Sequence, residues 1–84
     1  MFEVSWSDPA LEELADVYVG VDPTARQVIA AAVGMLNARL ADDPMAEGES
    51  RGRETDRVVF LGPVRVWAEV NVPARTVRVY RFKA

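Results

Sequence analysis

The last third of the chain consists of short segments in which apolar and polar residues alternate, and this pattern constrains the fold most. Three such segments follow one another, separated by two turn-forming sequences: Arg57–Leu61, Val64–Val70 and Thr76–Phe82, with Gly62–Pro63 and Asn71–Arg75 between them. Successive side chains of a strand point to opposite faces of a sheet. The pattern therefore predicts three consecutive strands that share one aliphatic face and one polar face.

The two predicted faces of the second and third strands differ in their chemistry. The aliphatic face collects Val64, Val66, Ala68, Val70, Val77 and Val79. The opposite face collects Arg65, Trp67, Glu69, Arg78, Tyr80 and Phe82. Arginine and aromatic side chains together suit the binding of phosphates and stacked bases. The alternative to a binding site is a half-solvated sheet face on which Arg65 simply forms an ion pair with a carboxylate such as Glu69.

The start of the chain predicts one strand followed by a helix. Phe2–Trp6 alternates, which indicates a strand whose apolar side chains point inward. Ser7 or Asp8 can cap the helix that follows, and proline at position 9 suits its first turn. Leucine, alanine and tyrosine then recur at helical spacing, which predicts a helix to about Val19. The predicted apolar face of this helix consists of Leu11, Leu14, Ala15 and Tyr18.

A second helix is predicted directly after the first. Asp22 and Pro23 repeat the cap-and-proline start, and the apolar spacing continues to Leu40 or Ala41. The predicted stripe consists of Val28 or Ile29 with Ala32, Val33, Leu36 and Leu40. Two helices joined by so short a connection form an antiparallel hairpin.

The order of elements predicts the fold class. Residues 45–55 are polar and contain glycine, which indicates a loop with room for a short strand near Ser50–Glu54. The sequence therefore predicts an α+β domain over residues 1–84, with the order β-α-α-β-β-β. The helical hairpin would pack on one face of a mostly antiparallel sheet, as a two-layer domain requires. We expect the last strand to lie antiparallel beside the first.

Composition excludes several kinds of chemistry. The chain has no cysteine and no histidine, which excludes disulfides, thiolate catalysis and cysteine-ligated zinc, and removes the commonest general base. Residues 1–44 hold two basic and eight acidic side chains (net −6), whereas residues 45–84 hold eight basic and five acidic ones (net +3). The basic half would face an anionic partner, unless the two halves merely neutralise each other. With no apolar run near ~20 residues and no signal sequence at the start, we expect a cytoplasmic protein without membrane contact.

Three stretches carry a resemblance to a known family. They are Val4–Ala15, Gly48–Arg51 before the predicted sheet, and Pro63–Trp67 within it. Together with the order of elements, they resemble the RelE/ParE superfamily of bacterial type II toxins. The resemblance implies a growth-inhibiting toxin of a plasmid-stabilisation type of module, neutralised by a cognate antitoxin encoded alongside. In the ribonuclease branch, the toxin is an mRNA interferase that enters the ribosome and cuts mRNA. In the other branch it blocks DNA gyrase, and a third alternative is an inactive homologue that only binds its antitoxin.

The resemblance also implies roles for individual residues. Arg65 stands where the ribonuclease members place an arginine that contacts the scissile phosphate in the transition state. Those members carry a further arginine and a tyrosine or histidine beyond the last strand, and Arg81, Lys83 or Tyr80 would take their place here. Such cleavage needs no metal or cofactor, because the RNA 2′-hydroxyl is the nucleophile and arginines offset the developing charge. The carboxylates available as a base are Glu49, Glu54 and Glu69.

The remaining candidate residues concern binding rather than catalysis. Trp67, Arg78 and Lys83 are predicted to contact RNA or a protein partner. Arg51, Arg53 and Arg57 are predicted to form a loop cluster that meets RNA, an acidic partner or only water.

Overall fold

The computed structural model describes residues 1–84 as a helical hairpin packed on a five-stranded sheet. The elements are β1 (Glu3–Trp6), α1 (Asp8–Gly20), α2 (Pro23–Asp42), a 3-10 turn (Pro44–Ala46), β2 (Glu49–Arg51), β3 (Arg53–Leu61), β4 (Val64–Asn71) and β5 (Thr76–Lys83). The strand order across the sheet is β1-β5-β4-β3-β2. The predicted two-layer α+β fold is confirmed, and β2 is a short strand close to Ser50–Glu54, where the sequence left room for one.

The additional strand, β2, changes the direction of everything that follows it. β2 is only three residues long, and it pairs antiparallel with β3. β3, β4 and β5 are antiparallel to their neighbours, but β5 lies parallel to β1. The last strand lies beside the first, as expected, but the expected antiparallel direction is wrong, because β2 adds one chain reversal before β5.

Both helices begin where their capping residues predict. The Ser7 hydroxyl accepts a hydrogen bond of 3.2 Å from the backbone N–H of Ala10. A carboxylate oxygen of Asp22 accepts one of 2.8 Å from the N–H of Ala25. Each bond satisfies one of the backbone donors that a helix start leaves without an internal partner. No helix combines the length and the hydrophobicity that crossing a membrane requires.

The core lies between the helices and one sheet face. It includes the predicted aliphatic residues of β4 and β5, all nearly or fully buried, and Ile29, Ala32, Leu36 and Leu40 of α2. Val28, the alternative to Ile29, is 52% exposed. In α1 the predicted phase is partly wrong: Leu11 and Ala15 are exposed, and Ala10, Leu14, Val17 and Tyr18 pack toward the core. Apolar residues occur on more than one side of this short helix, so spacing alone could not select the buried side.

A bulge between β4 and β5 shifts the alternation of side chains in β5. Ala68 lies opposite Val79 and Trp67 lies opposite Arg81, so Tyr80 is an extra residue with no partner of its own. In a β-bulge two residues of one strand oppose one residue of its neighbour. Beyond the bulge, Phe82 points into the core, where it is 2% exposed. Its predicted place beside Arg78 and Tyr80 is therefore wrong.

Candidate functional site

The outer face, meaning the sheet face opposite the helices, presents cations and aromatic rings in adjacent rows. The cross-strand register defines three rows over β3, β4 and β5: Phe60, Arg65 and Lys83; then Val58, Trp67 and Arg81; then Asp56, Glu69 and Arg78. The bulge places Arg81 on this face, next to Trp67. Side chains in opposed positions of neighbouring strands lie close enough to interact.

Four of these side chains, Phe60, Arg65, Trp67 and Arg81, form the arginine–aromatic cluster. The guanidinium carbon of Arg65 lies 5.1 Å from the ring centroid of Phe60 and 5.5 Å from that of Trp67. The guanidinium carbon of Arg81 lies 4.8 Å from the ring centroid of Trp67. A cation at these distances is attracted by the ring quadrupole. The cluster therefore holds two guanidinium groups against the same indole ring.

Neither guanidinium of the cluster is neutralised by a carboxylate. The structure contains one salt bridge, of 3.9 Å between Arg39 and Glu47, and it does not involve this face. The Nε atom of Arg65 is buried and has no hydrogen-bond partner. The alternative that Arg65 forms an ion pair with Glu69 is thus not realised. An arginine fork with free donors can bind the oxygens of a phosphate or carboxylate in a bidentate manner.

Tyr80, the bulged residue, is engaged with an acidic side chain. Its hydroxyl donates a hydrogen bond of 2.7 Å to Oδ1 of Asp56 on β3. Burial, followed by this hydrogen bond, raises the pKa of Tyr80 to about 12. The phenol therefore stays protonated at neutral pH, and it can act as a proton donor but not as a tyrosinate base.

The three arginines predicted to form a loop cluster are separated by the strands. Arg51 and Arg53 are exposed on β2 and β3, whereas Arg57 is buried on the helix side of β3. The Arg57 guanidinium donates hydrogen bonds of 2.8–3.2 Å to three backbone carbonyls, those of Glu47, Gly48 and Glu54. The predicted cluster is therefore wrong for Arg57, whose side chain holds the segment before β2 rather than facing a partner.

Arg78 lies at the other end of the outer face from Arg65. It lines an open depression of about 460 Å³ beside the β4–β5 turn. The other lining residues are Arg53, Thr55, Glu69, Val70, Asn71, Val72, Pro73 and Thr76. The predicted binding residues thus fall into two groups, one around Arg65 and one around Arg78. No group of three or more acidic side chains in the chain is arranged to hold a metal ion.

Phe60 is the residue of the cluster that sequence reasoning missed. It lies in Arg57–Leu61, a mostly apolar run in which alternation does not distinguish the two faces. Its position opposite Arg65 is visible only from the strand register. One sequence signal was available. Phe60 lies four residues after the polar residue Asp56, and residues separated by an even number of positions in a strand share a face.

This architecture, a helical hairpin on a mixed five-stranded sheet, is the fold of the RelE-type toxins. The crystal structure of the toxin–antitoxin complex RelBE2 from Mycobacterium tuberculosis contains a similar chain, with a TM-score of 0.77 and 20% identity over 98% of this chain and 95% of that one. The intact Escherichia coli RelBE toxin–antitoxin complex contains another, with a TM-score of 0.68 and 17% identity over 100% and 98% of the two chains.

A third similar structure is a mutant E. coli toxin RelE, with two arginines changed to alanine, in complex with an antitoxin RelB peptide. It aligns with a TM-score of 0.63 and 18% identity over 99% of this chain and 83% of that one. No protein-family model matches the sequence, and no curated protein matches it significantly. The similarity is therefore one of fold, and it covers nearly the whole chain.

Proposed function

We propose that this chain is the toxin of a type II toxin–antitoxin pair and that it inhibits growth by ribosome-dependent cleavage of mRNA. The observation that carries this proposal is the arginine–aromatic cluster on the open sheet face of a RelE-type fold. The three similar structures are toxin–antitoxin complexes, which supports a cognate antitoxin as the partner of this chain.

The chemistry of the cluster suits a phosphodiester. Arg65 and Arg81 both contact the ring of Trp67, and neither has a carboxylate partner. Two neighbouring guanidinium groups can bind the non-bridging oxygens of one phosphate. Lys83, which lies opposite Arg65 in the register, adds a third positive charge at the same end of the face.

In the proposed reaction, the RNA 2′-hydroxyl gives its proton to a water molecule and attacks the adjacent phosphorus, which forms a 2′,3′-cyclic phosphate as the bond to the 5′-oxygen of the next nucleotide breaks. Negative charge grows on the phosphate oxygens as the transition state forms, and Arg65 and Arg81 stabilise it there. The leaving oxygen must gain a proton. Tyr80 is adjacent to Arg81 in the chain and is protonated at neutral pH, so it is the candidate for this proton donor once its hydrogen bond to Asp56 is released.

The proposal is tested by expression in a bacterial host without antitoxin. Growth should stop, and primer extension should map new 5′ ends within translated mRNA. Arg65→Ala should remove both effects while the fold stays intact, because the side chain lies outside the core and forms no salt bridge. Arg39→Ala is the matched control, because it removes one arginine from the helical side of the molecule. Full toxicity of soluble Arg65→Ala would rule out the phosphate-binding role.

One observation favours a second candidate, a toxin or antitoxin-binding homologue without hydrolytic chemistry. The chain has no histidine, and the Tyr80 proton is held by Asp56. The outer face would then bind a protein such as DNA gyrase, or only the antitoxin. Growth arrest with intact mRNA and impaired supercoiling would identify a gyrase-directed toxin. Normal growth with tight antitoxin binding would identify the inactive homologue.

A further inference from the structure

The cluster contains one aromatic ring that is largely exposed to solvent. Phe60 is 54% exposed, and it is the only exposed aromatic side chain of the chain. Its ring contacts the guanidinium of Arg65. An apolar ring in contact with an unpaired cation is a surface on which a nucleobase can stack while the cation holds a phosphate of the same strand.

Trp67 is less suited to stacking on a nucleobase than its large aromatic ring suggests. Two guanidinium groups, those of Arg65 and Arg81, already lie over its ring. Trp67 also lies opposite Val58 in the register, on the outer face, and Val58 is 0% exposed although it is outside the core between helices and sheet. Trp67 therefore supports the two arginines, and the exposed ring of Phe60 remains available.

We infer that Phe60 is a stacking platform for a nucleobase of single-stranded RNA, directly beside the phosphate site formed by Arg65 and Arg81. This inference rests on the proposed RNA-directed function, and it names the part of the ligand that the aromatic end of the cluster binds. In a duplex the bases are stacked on one another inside the helix, so only an unpaired base can lie on the ring. The site therefore selects single strands over duplexes.

The inference is tested by fluorescence anisotropy with a short labelled single-stranded RNA and the duplex of the same sequence. Phe60→Leu removes the ring but keeps an apolar side chain, and it should weaken single-strand binding about 5- to 150-fold, the range that loss of one stacked base implies. Phe60→Tyr should keep the affinity of the unchanged protein. Leu11→Ala, which changes an exposed apolar residue on α1, should have no effect. Duplex binding should be weaker and insensitive to Phe60→Leu.

Two further measurements distinguish base stacking on Phe60 from a purely positioning role, in which Phe60 only orients Arg65. With an RNA in which the stacked position is abasic, the loss caused by Phe60→Leu should disappear if the ring contacts a base. In an Arg65→Ala background, Phe60→Leu should still weaken binding to the intact strand. Persistence of the full effect on abasic RNA, or its complete loss in the Arg65→Ala background, would show that the ring acts through Arg65 and would overturn the inference.

Three other outcomes would also overturn it: equal RNA affinity of Phe60→Leu and the unchanged protein, no RNA binding by the unchanged protein, or weakened antitoxin binding with RNA binding intact. The last would assign the ring to the protein interface. None of these outcomes tests the proposed toxin function, which is tested separately by growth arrest and mRNA cleavage. Conversely, ring-dependent binding of single strands without growth arrest would reject the toxin proposal and leave the base-stacking site in place.

Discussion

The Tyr80 hydroxyl and the Asp56 carboxylate, 24 residues apart in the chain, are joined by a hydrogen bond of 2.7 Å. The bond crosses the sheet from β5 to β3 over the intervening β4. Tyr80 is the extra residue of the β4–β5 bulge and has no cross-strand partner of its own. The bond links Tyr80, which lies next to Arg81 in β5, to Asp56 in the row that contains Arg78.

The first prediction concerns the pH dependence of stability. The folded chain raises the pKa of Tyr80 from 10.0 to about 12, so folding favours the protonated phenol. This contribution to the free energy of unfolding is complete below pH 10 and is lost as the pH rises through about 12. The stability difference between the unchanged protein and Tyr80→Phe should therefore shrink over this interval, as measured by chemical denaturation at each pH. Tyr18→Phe is the control, and a Tyr80→Phe difference that stays constant with pH would contradict the assignment.

The second prediction concerns the buried arginine. Arg57→Ala should lower the free energy of unfolding by at least about 2 kcal/mol, because three backbone carbonyls lose a charged donor and the site is buried. Arg53→Ala, the exposed arginine of the same strand, should change it by less than about 0.5 kcal/mol. Urea denaturation of the two variants measures both values. If both variants changed the free energy of unfolding equally and only slightly, the Arg57 side chain would not be held by these carbonyls and would be available for ligand binding.

The third prediction concerns the packing of α2 on the sheet. Leu36 is 0% exposed, whereas its chain neighbour Met35 is 50% exposed. Leu36→Ala should destabilise by about 2–5 kcal/mol, through lost burial and the cavity that remains. In a domain of this size that loss could remove most of the stability. Met35→Ala should be nearly neutral, and a reversed order of the two denaturation midpoints would show that α2 presents a different face to the sheet.

The fourth prediction concerns two glycines in contrasting surroundings. Gly34 lies inside α2 and a methyl group added there would meet no atom within 4 Å, so Gly34→Ala should stabilise by up to about 1 kcal/mol through helix propensity. Gly48 has a φ of +63°, and an added Cβ would collide with the backbone carbonyl of Val58. Gly48→Ala should therefore destabilise strongly. Thermal denaturation should move the two melting temperatures in opposite directions, and a fall for Gly34→Ala would be evidence of a contact on that face of α2.

The sequence by itself determined the helices and most of the strands. The residues that define these elements interact with residues only a few positions away in the chain. Ser7 and Asp22 cap helices because each side chain reaches a backbone N–H three residues later. The aliphatic alternation of β4 predicts its buried face because a strand places every second side chain on the same side. The resemblance to the RelE/ParE superfamily rested on the same local strings and on the order of the elements.

Contacts between distant residues decided the rest. β2 is three residues long, too short for periodicity to establish, and its pairing with β3 reverses the direction of β5 relative to β1. The bulge at Tyr80 moves Phe82 into the core and Arg81 onto the outer face, although strict alternation predicts the opposite. Arg57 is buried because carbonyls ten, nine and three residues before it converge on its guanidinium. Strand register and the burial of a given sheet face depend on which strands pair with one another. Pairing between distant segments cannot be determined from the local sequence of either segment.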